Sequence, residues 1–196
     1  MPNPAKIRQA IRAKRRSLTT QEHRANSLSA ATHFICNPQL IHCNHIALYL
    51  AADGELDTQP LIRRLRQLHK KLYLPVLKPG TNNSLWFAEY RDGERLIPNR
   101  FGIAEPNIRH SKPKPAWSLD LIVMPLVAFN SEGTRIGMGG GYYDRTLSYQ
   151  LRHQRWIRPK LVGYAHAFQC IEELTREHWD VPLHGIITER GYKSYR

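Results

Sequence analysis

Cysteine is close to absent from this 196-residue chain, with three residues at Cys36, Cys43 and Cys170. So small and odd a number argues against a disulfide framework. Cys36, His42, Cys43 and His45 cluster in sequence, but their spacing matches no common zinc pattern and an apolar segment begins directly afterwards. A structural metal is therefore not expected there. Long apolar runs are missing too: residues 46–52 and 121–129 are the longest, and both fall far short of a membrane span. No apolar segment follows the basic N-terminus, so no secretory signal is expected, and a cytoplasmic protein without a membrane partner is. Internal repeats and low-complexity segments are absent, as are zinc-finger, RRM and KH signatures. Acidic residues are scarce, with 16 Asp and Glu against 29 Lys and Arg, for a net charge of +13.

What is present is the patterning of one globular domain over residues 1–196, with 41% hydrophobic and 23% charged residues. Residues 4–18 place Ile7, Ala10, Ile11 and Leu18 on one narrow helical stripe. Thr19 and Glu22 form a capping-box pattern that starts a second helix, running to about Ile35 and stopped by Pro38. Residues 45–50 read as a buried strand, Thr58 as the cap of a third helix carrying Leu61, Ile62, Leu65 and Leu68, and residues 71–76 as the next strand. That is a βαβ unit, and it implies a parallel pair. Residues 85–90 suggest another strand, and the proline-rich stretch 91–117 a long loop of the kind that wraps a binding site. A central strand at 119–125, a helix from Tyr142 to about Gln154, and strands at 160–165 and 185–188 complete an open α/β sheet.

The densest signal is RIGMGGGYYDR at residues 135–145, with Gly137, Gly139, Gly140 and Gly141 between two arginines. It is no Walker A loop, since no Gly-Lys-Ser/Thr follows, and Tyr142 breaks a dinucleotide fingerprint. A glycine cluster can be a flexible turn, or it can converge backbone N–H groups on an anion. The neighbours Arg135, Asp144 and Arg145 suit the second reading. Arginine neutralises phosphate oxygens, and a carboxylate can hold a magnesium ion that bridges phosphates.

The run Leu121-Ile122-Val123-Met124-Pro125-Leu126-Val127-Ala128-Phe129, followed by Gly133-Thr134 and this loop, resembles the signature of the 5-formyltetrahydrofolate cyclo-ligases. The likeness continues through Leu48-Tyr49-Leu50, Asp53-Gly54-Glu55-Leu56-Asp57-Thr58, Tyr73-Leu74-Pro75-Val76 and Phe101-Gly102-Ile103-Ala104-Glu105-Pro106. Val162-Gly163-Tyr164-Ala165 and Trp179-Asp180-Val181-Pro182 extend it over nearly the whole chain. The resemblance implies an α/β, Rossmann-like three-layer sandwich with a mostly parallel sheet. It also implies an enzyme that uses ATP and Mg²⁺ to convert 5-formyltetrahydrofolate, polyglutamylated or not, into 5,10-methenyltetrahydrofolate, releasing ADP and phosphate.

Carried over, the resemblance gives ATP to Arg8, Arg135, Ile136, Gly137, Met138, Gly139, Gly140, Gly141, Tyr142, Tyr143 and Arg145. Asp144 becomes the Mg²⁺ ligand. Folate falls to Leu50, Glu55 and Phe101 with the loop residues Met138 to Tyr142, and the catalytic set is Glu55, Arg135 and Tyr143. Met138 and Gly140 stand where the family often has basic side chains, and Pro4 where it has a lysine, for which Lys6 is a substitute. Asn130 replaces a usual Asp, and an acidic residue that some members carry near His184 is missing. Phosphate charge then falls on Arg135, Arg145 and the first helix. A monomer acting on a small molecule, with no specific nucleic acid, is the leading expectation. The alternatives are a basic nucleic-acid-binding α/β module and a non-catalytic ATP or folate binder.

Overall fold

The computed structural model describes residues 3–81, 83–108, 112–152 and 158–195. Helix α1 (Pro4–Arg16) starts where Asn3 accepts a hydrogen bond from Ala5 N at 2.9 Å, and ends with Lys14, Arg15 and Arg16 beside its negative pole. Its buried stripe is Ile7, Ile11 and Arg15, not the expected Ile7, Ala10, Ile11 and Leu18. Ala10 is exposed, and an arginine takes the third inward position. The capping box holds as read: Thr19 Oγ1 accepts from Glu22 N at 3.2 Å and Glu22 Oε2 from Thr19 N at 2.8 Å, opening α2 (Thr20–Ile35). α2 ends at Ile35 as expected, and Pro38 then opens a one-turn helix α3 (Pro38–Ile41), where its missing N–H costs nothing.

The βαβ unit forms as expected. Strand β1 (His45–Ala47) runs parallel to β2 (Lys71–Leu77), with α4 (Gln59–Gln67) between them. β1 is shorter than the expected 45–50, because Tyr49 O turns away from the ladder to accept the Thr58 hydroxyl at 2.7 Å. Thr58 therefore does not cap α4 with its side chain; Asp57 Oδ1 takes Gln59 N at 2.9 Å instead. Strand β3 (Leu85–Glu89) pairs antiparallel with β2. The expected loop 91–117 contains a small hairpin, β4 (Ile97–Pro98) with β5 (Ala104–Glu105), and residues 109–111 lie outside the described residues. Next come β6 (Leu121–Met124), a ribbon of β7 (Ala128–Phe129) with β8 (Arg135–Ile136), and α5 (Tyr142–Leu147). In place of one helix to Gln154, a break at Ser148 leads to α6 (Tyr149–Arg152), and Gln154 itself is outside the described residues. β9 (Lys160–Tyr164) and β10 (Gly185–Thr188) are parallel, and β11 (Gly191–Ser194) returns antiparallel at the edge.

The sheet order is β11-β10-β9-β6-β1-β2-β3, with the inner five strands parallel. Both faces are covered. Ile46, Leu121, Val123 and Val162 pack toward Phe34 of α2 and Leu61 of α4; Ala47, Ile122, Met124 and Leu161 pack toward Phe87 and Leu147. This alternation along each strand makes a three-layer α/β sandwich. From β1 the chain moves outward to β2, whereas from β6 it moves the other way to β9 and β10. The order reverses between β1 and β6, and the carboxyl ends of such a pair open a crevice that binds ligands. Among the described residues no helix is long and apolar enough to cross a membrane.

Candidate active site

A cleft of about 1390 Å³ opens at that reversal, bounded by Tyr49 and Leu50 after β1 and Pro125 after β6. Every residue of the glycine loop lines it, as do Arg8, Glu55, Phe101, Arg135, Asp144 and Arg145. Lys6, offered as a substitute for the lysine absent at position 4, is exposed on α1 and not part of the lining, whereas Pro4 is.

Helix α1 lies against the glycine loop. Arg8 Nε donates to Gly137 O at 2.9 Å, and Arg12 Nη2 to Met138 Sδ at 3.2 Å. The loop thus has arginines beside it although it carries none between 136 and 144. Gly141 has φ of +62°, a left-handed conformation that glycine adopts without strain, and it redirects the chain into α5. α5 has only six residues, so its dipole adds little, and an anion here would rest on loop N–H groups and guanidinium charge. Arg145 folds back onto the loop, donating to Gly140 O and, at 3.2 Å, to Asn83 O. Arg100, not anticipated from sequence, donates to Tyr142 Oη at 3.2 Å, and Phe101 meets the Tyr142 ring edge-on at 6.0 Å.

Below the loop, the buried Arg135 Nη2 lies 2.5 Å from Asp144 Oδ1, which also accepts from Val181 N at 3.4 Å. Both contacts fall on Oδ1, leaving Oδ2 for another partner. Asp180, which sequence reading gave no role, comes up beside this pair: burial pushes its carboxyl up, and the Asp144 charge adds to that against the Glu177 N–H. Its only sequence signal was the Trp179-Asp180-Val181-Pro182 run. No group of three or more His, Cys, Asp or Glu able to hold a metal forms among the described residues. Two carboxylates still suit Mg²⁺, which is commonly held by one or two carboxylates, water and substrate phosphates. Burial raises the Tyr143 phenol well above its ordinary value, Arg135 opposing and Glu55 adding to the effect, so Tyr143 is a neutral donor.

Glu55 sits in the turn after β1, where Asp53 and Gly54 both have positive φ. A Cβ on Gly54 would lie 2.9 Å from Arg15 Cβ, so only glycine lets this turn pack against α1. Glu55 Oε2 accepts from Ala52 N at 3.2 Å, and Oε1 lies 3.9 Å from Arg15 Nη1. Burial pushes the Glu55 carboxyl up; the Ala52 N–H and then Arg15 pull it back. The Glu55 carbonyl is 2.7 Å from His23 Nε2, and His23 neighbours the fully buried His166, with ring centroids 5.5 Å apart.

Burial, and then the His23 charge, hold His166 down to about 4. Its folded value lies below the unfolded one, so the associated stability is present above pH ~6.5 and is lost as pH falls toward 4. Urea unfolding between pH 6.5 and 4.5 should cost the wild type about 2 kcal/mol more than His166→Asn. Equal losses in the two proteins would contradict the assignment.

The sequence pattern of the 5-formyltetrahydrofolate cyclo-ligase family matches residues 1–189. The chain is 42% identical over 180 residues to the 5-formyltetrahydrofolate cyclo-ligase of Escherichia coli (strain K12), covering 91% of this chain and 96% of that one. It is 41% identical over 184 residues to the Haemophilus influenzae protein of the same name, covering 92% and 95%. The NMR structure of Aquifex aeolicus 5,10-methenyltetrahydrofolate synthetase superposes with a TM-score of 0.81 at 30% identity, covering 98% of this chain and 93% of the other. A Mycoplasma pneumoniae 5,10-methenyltetrahydrofolate synthetase shares the fold with a TM-score of 0.74 at 23% identity, covering 96% and 99%. With its strand order and its glycine loop in the cleft, the chain belongs to the 5-formyltetrahydrofolate cyclo-ligase family.

Proposed function

We propose that this protein converts 5-formyltetrahydrofolate to 5,10-methenyltetrahydrofolate at the expense of ATP and with Mg²⁺, as a cytoplasmic monomer. The observation that carries the reading is the meeting, in one cleft, of an arginine-flanked glycine loop with a partly buried carboxylate, Glu55. The loop end suits a triphosphate, with Arg8, Arg135 and Arg145 supplying charge and the loop supplying N–H groups. Leu50, Phe101 and the exposed faces of Ile103 and Trp179 suit the ring faces of a pterin, whose polar edge needs hydrogen-bond partners.

Formamide oxygen is a poor leaving group. Transfer of the γ-phosphoryl group to it makes one P–O bond, breaks the bond to ADP and turns that oxygen into part of a phosphate ester. N10 then attacks the one-carbon unit, phosphate departs with the formyl oxygen, and N10 loses its proton. Phosphoryl transfer of this kind needs positioning and charge neutralisation above all. In this route Arg135 would neutralise charge on the transferring group, with Tyr143 as a neutral hydrogen-bond donor beside it. Glu55 orients the one-carbon unit and accepts the N10 proton. Mg²⁺ held by Asp144 and Asp180 together with phosphate oxygens would supply further neutralisation.

The test is isotopic. Substrate carrying ¹⁸O in the formyl group should yield one labelled oxygen in the released phosphate, with one ADP per methenyl product. Unlabelled phosphate would rule out this route.

A further inference from the structure

We propose that Arg15 is a positioning residue for Glu55, its buried guanidinium holding the carboxylate charged and aimed into the cleft. The inference rests on the reading of Glu55 as the group that faces the one-carbon unit.

Arg15 occupies the third position of the α1 stripe after Ile7 and Ile11 and is 3% exposed. An arginine there costs free energy unless its charge is met. One arm is anchored, Nη2 donating to Leu126 O, a carbonyl that also accepts from Gln169 Nε2 at 3.1 Å. Nε and Nη1 are buried without a hydrogen-bond partner, and Nη1 is the atom 3.9 Å from Glu55 Oε1. Arg15 also lines the cleft. The turn bearing Glu55 is pressed onto this part of α1 so closely that Gly54 leaves no room for a Cβ beside Arg15. A purely structural arginine would need only the Leu126 anchor; the free arm facing a carboxylate at the cleft wall is what points to the site.

The surrounding groups leave Arg15 as the deciding charge. Asp53 of the turn is shared by Arg12 at 3.3 Å and Arg16 at 2.6 Å, so both of those guanidiniums are directed at Asp53 and not at Glu55. Tyr49, after β1, and Tyr143, on α5, are held protonated by burial. His166, after β9, is held neutral, and His23 of α2, packed beside it, turns its Nε2 to the Glu55 carbonyl and not to the carboxylate.

The experiment is the pH profile of kcat/KM for wild type, Arg15→Met, Arg15→Lys and Glu55→Gln, with a thermal melt for each. Removing an opposite charge at this range should move the acid limb of Arg15→Met up by about one pH unit, about tenfold in rate below it. Arg15→Lys, keeping the charge, should return the limb toward wild type even if its melting temperature stays low. A folded Arg15→Met with an unmoved limb overturns the inference. A Glu55→Gln protein with wild-type activity overturns the Glu55 reading instead, so the two failures are distinct. If Arg15→Met does not fold, the ¹³C carboxyl signal of Glu55 in wild type decides, assigned by its loss in Glu55→Gln. It should be ionised at about pH 7.5, as a charge-paired carboxylate is, and a protonated Glu55 there contradicts the role given to Arg15.

Discussion

Asp144→Asn is expected to lower kcat/KM for MgATP about 10³-fold while the protein remains folded. The magnitude is that of losing one charged ligand at a phosphoryl-transfer site, roughly 4 kcal/mol of transition-state stabilisation. Asparagine is the informative replacement because Asp144 has two jobs. It faces the cleft, and its Oδ1 meets the Arg135 guanidinium, which is buried. Asp144→Ala would strand that charge, and breaking such a pair costs about 3–5 kcal/mol. Loss of activity in the alanine variant would therefore mix misfolding with chemistry. The asparagine side chain retains an oxygen for Arg135 and Val181 N, so the melting temperature of that variant should fall by only a few degrees. Steady-state rates over a Mg²⁺ series, with a circular-dichroism melt, check this. Near wild-type turnover in a folded Asp144→Asn protein would remove Asp144 from the metal role.

Glu55→Gln should reduce kcat by about 10²–10³-fold, the usual contribution of a general base, with little change in KM for ATP. Glutamine keeps an oxygen for the Ala52 N–H, so the turn geometry survives. The pH dependence separates the chemical role from a steric one. Burial pushes the Glu55 carboxyl up, so the wild-type acid limb should lie above the ordinary carboxylate range. A base works deprotonated, so activity is lost as pH falls through that raised value. In Glu55→Gln that limb should vanish, leaving a low, flat profile. A surviving limb in the variant would assign it to another group and take the proton from Glu55.

Local signals in the chain carried much of the fold. The Thr19–Glu22 capping box, the βαβ unit and the central apolar strand depend on neighbours a few residues away, and all are present in the structure. Departures came where distant contacts prevail. β1 ends at Ala47 because Tyr49 O is claimed by Thr58, and the two-residue strands of the ribbons are too short for any periodicity to register. At the site, the glycine loop was visible as a motif, and Glu55 only through the family resemblance. Asp180 was not, because only folding brings it to Asp144, 36 positions earlier in the chain. Arg15 was hidden more deeply. In the sequence it is one of several basic residues of the first helix, yet it continues the Ile7–Ile11 stripe inward and ends opposite Glu55. The resemblance of the sequence agrees with the family match over residues 1–189.

The measurement that bears most directly on the central claim is cyclisation itself. Purified protein is mixed with 5-formyltetrahydrofolate and Mg²⁺, and methenyl absorbance is followed before and after adding ATP. Absorbance should stay flat without nucleotide and rise on its addition, with ADP accumulating in equal amount. A rise that needs no ATP, or none when ATP is present, would contradict an ATP-driven cyclo-ligase.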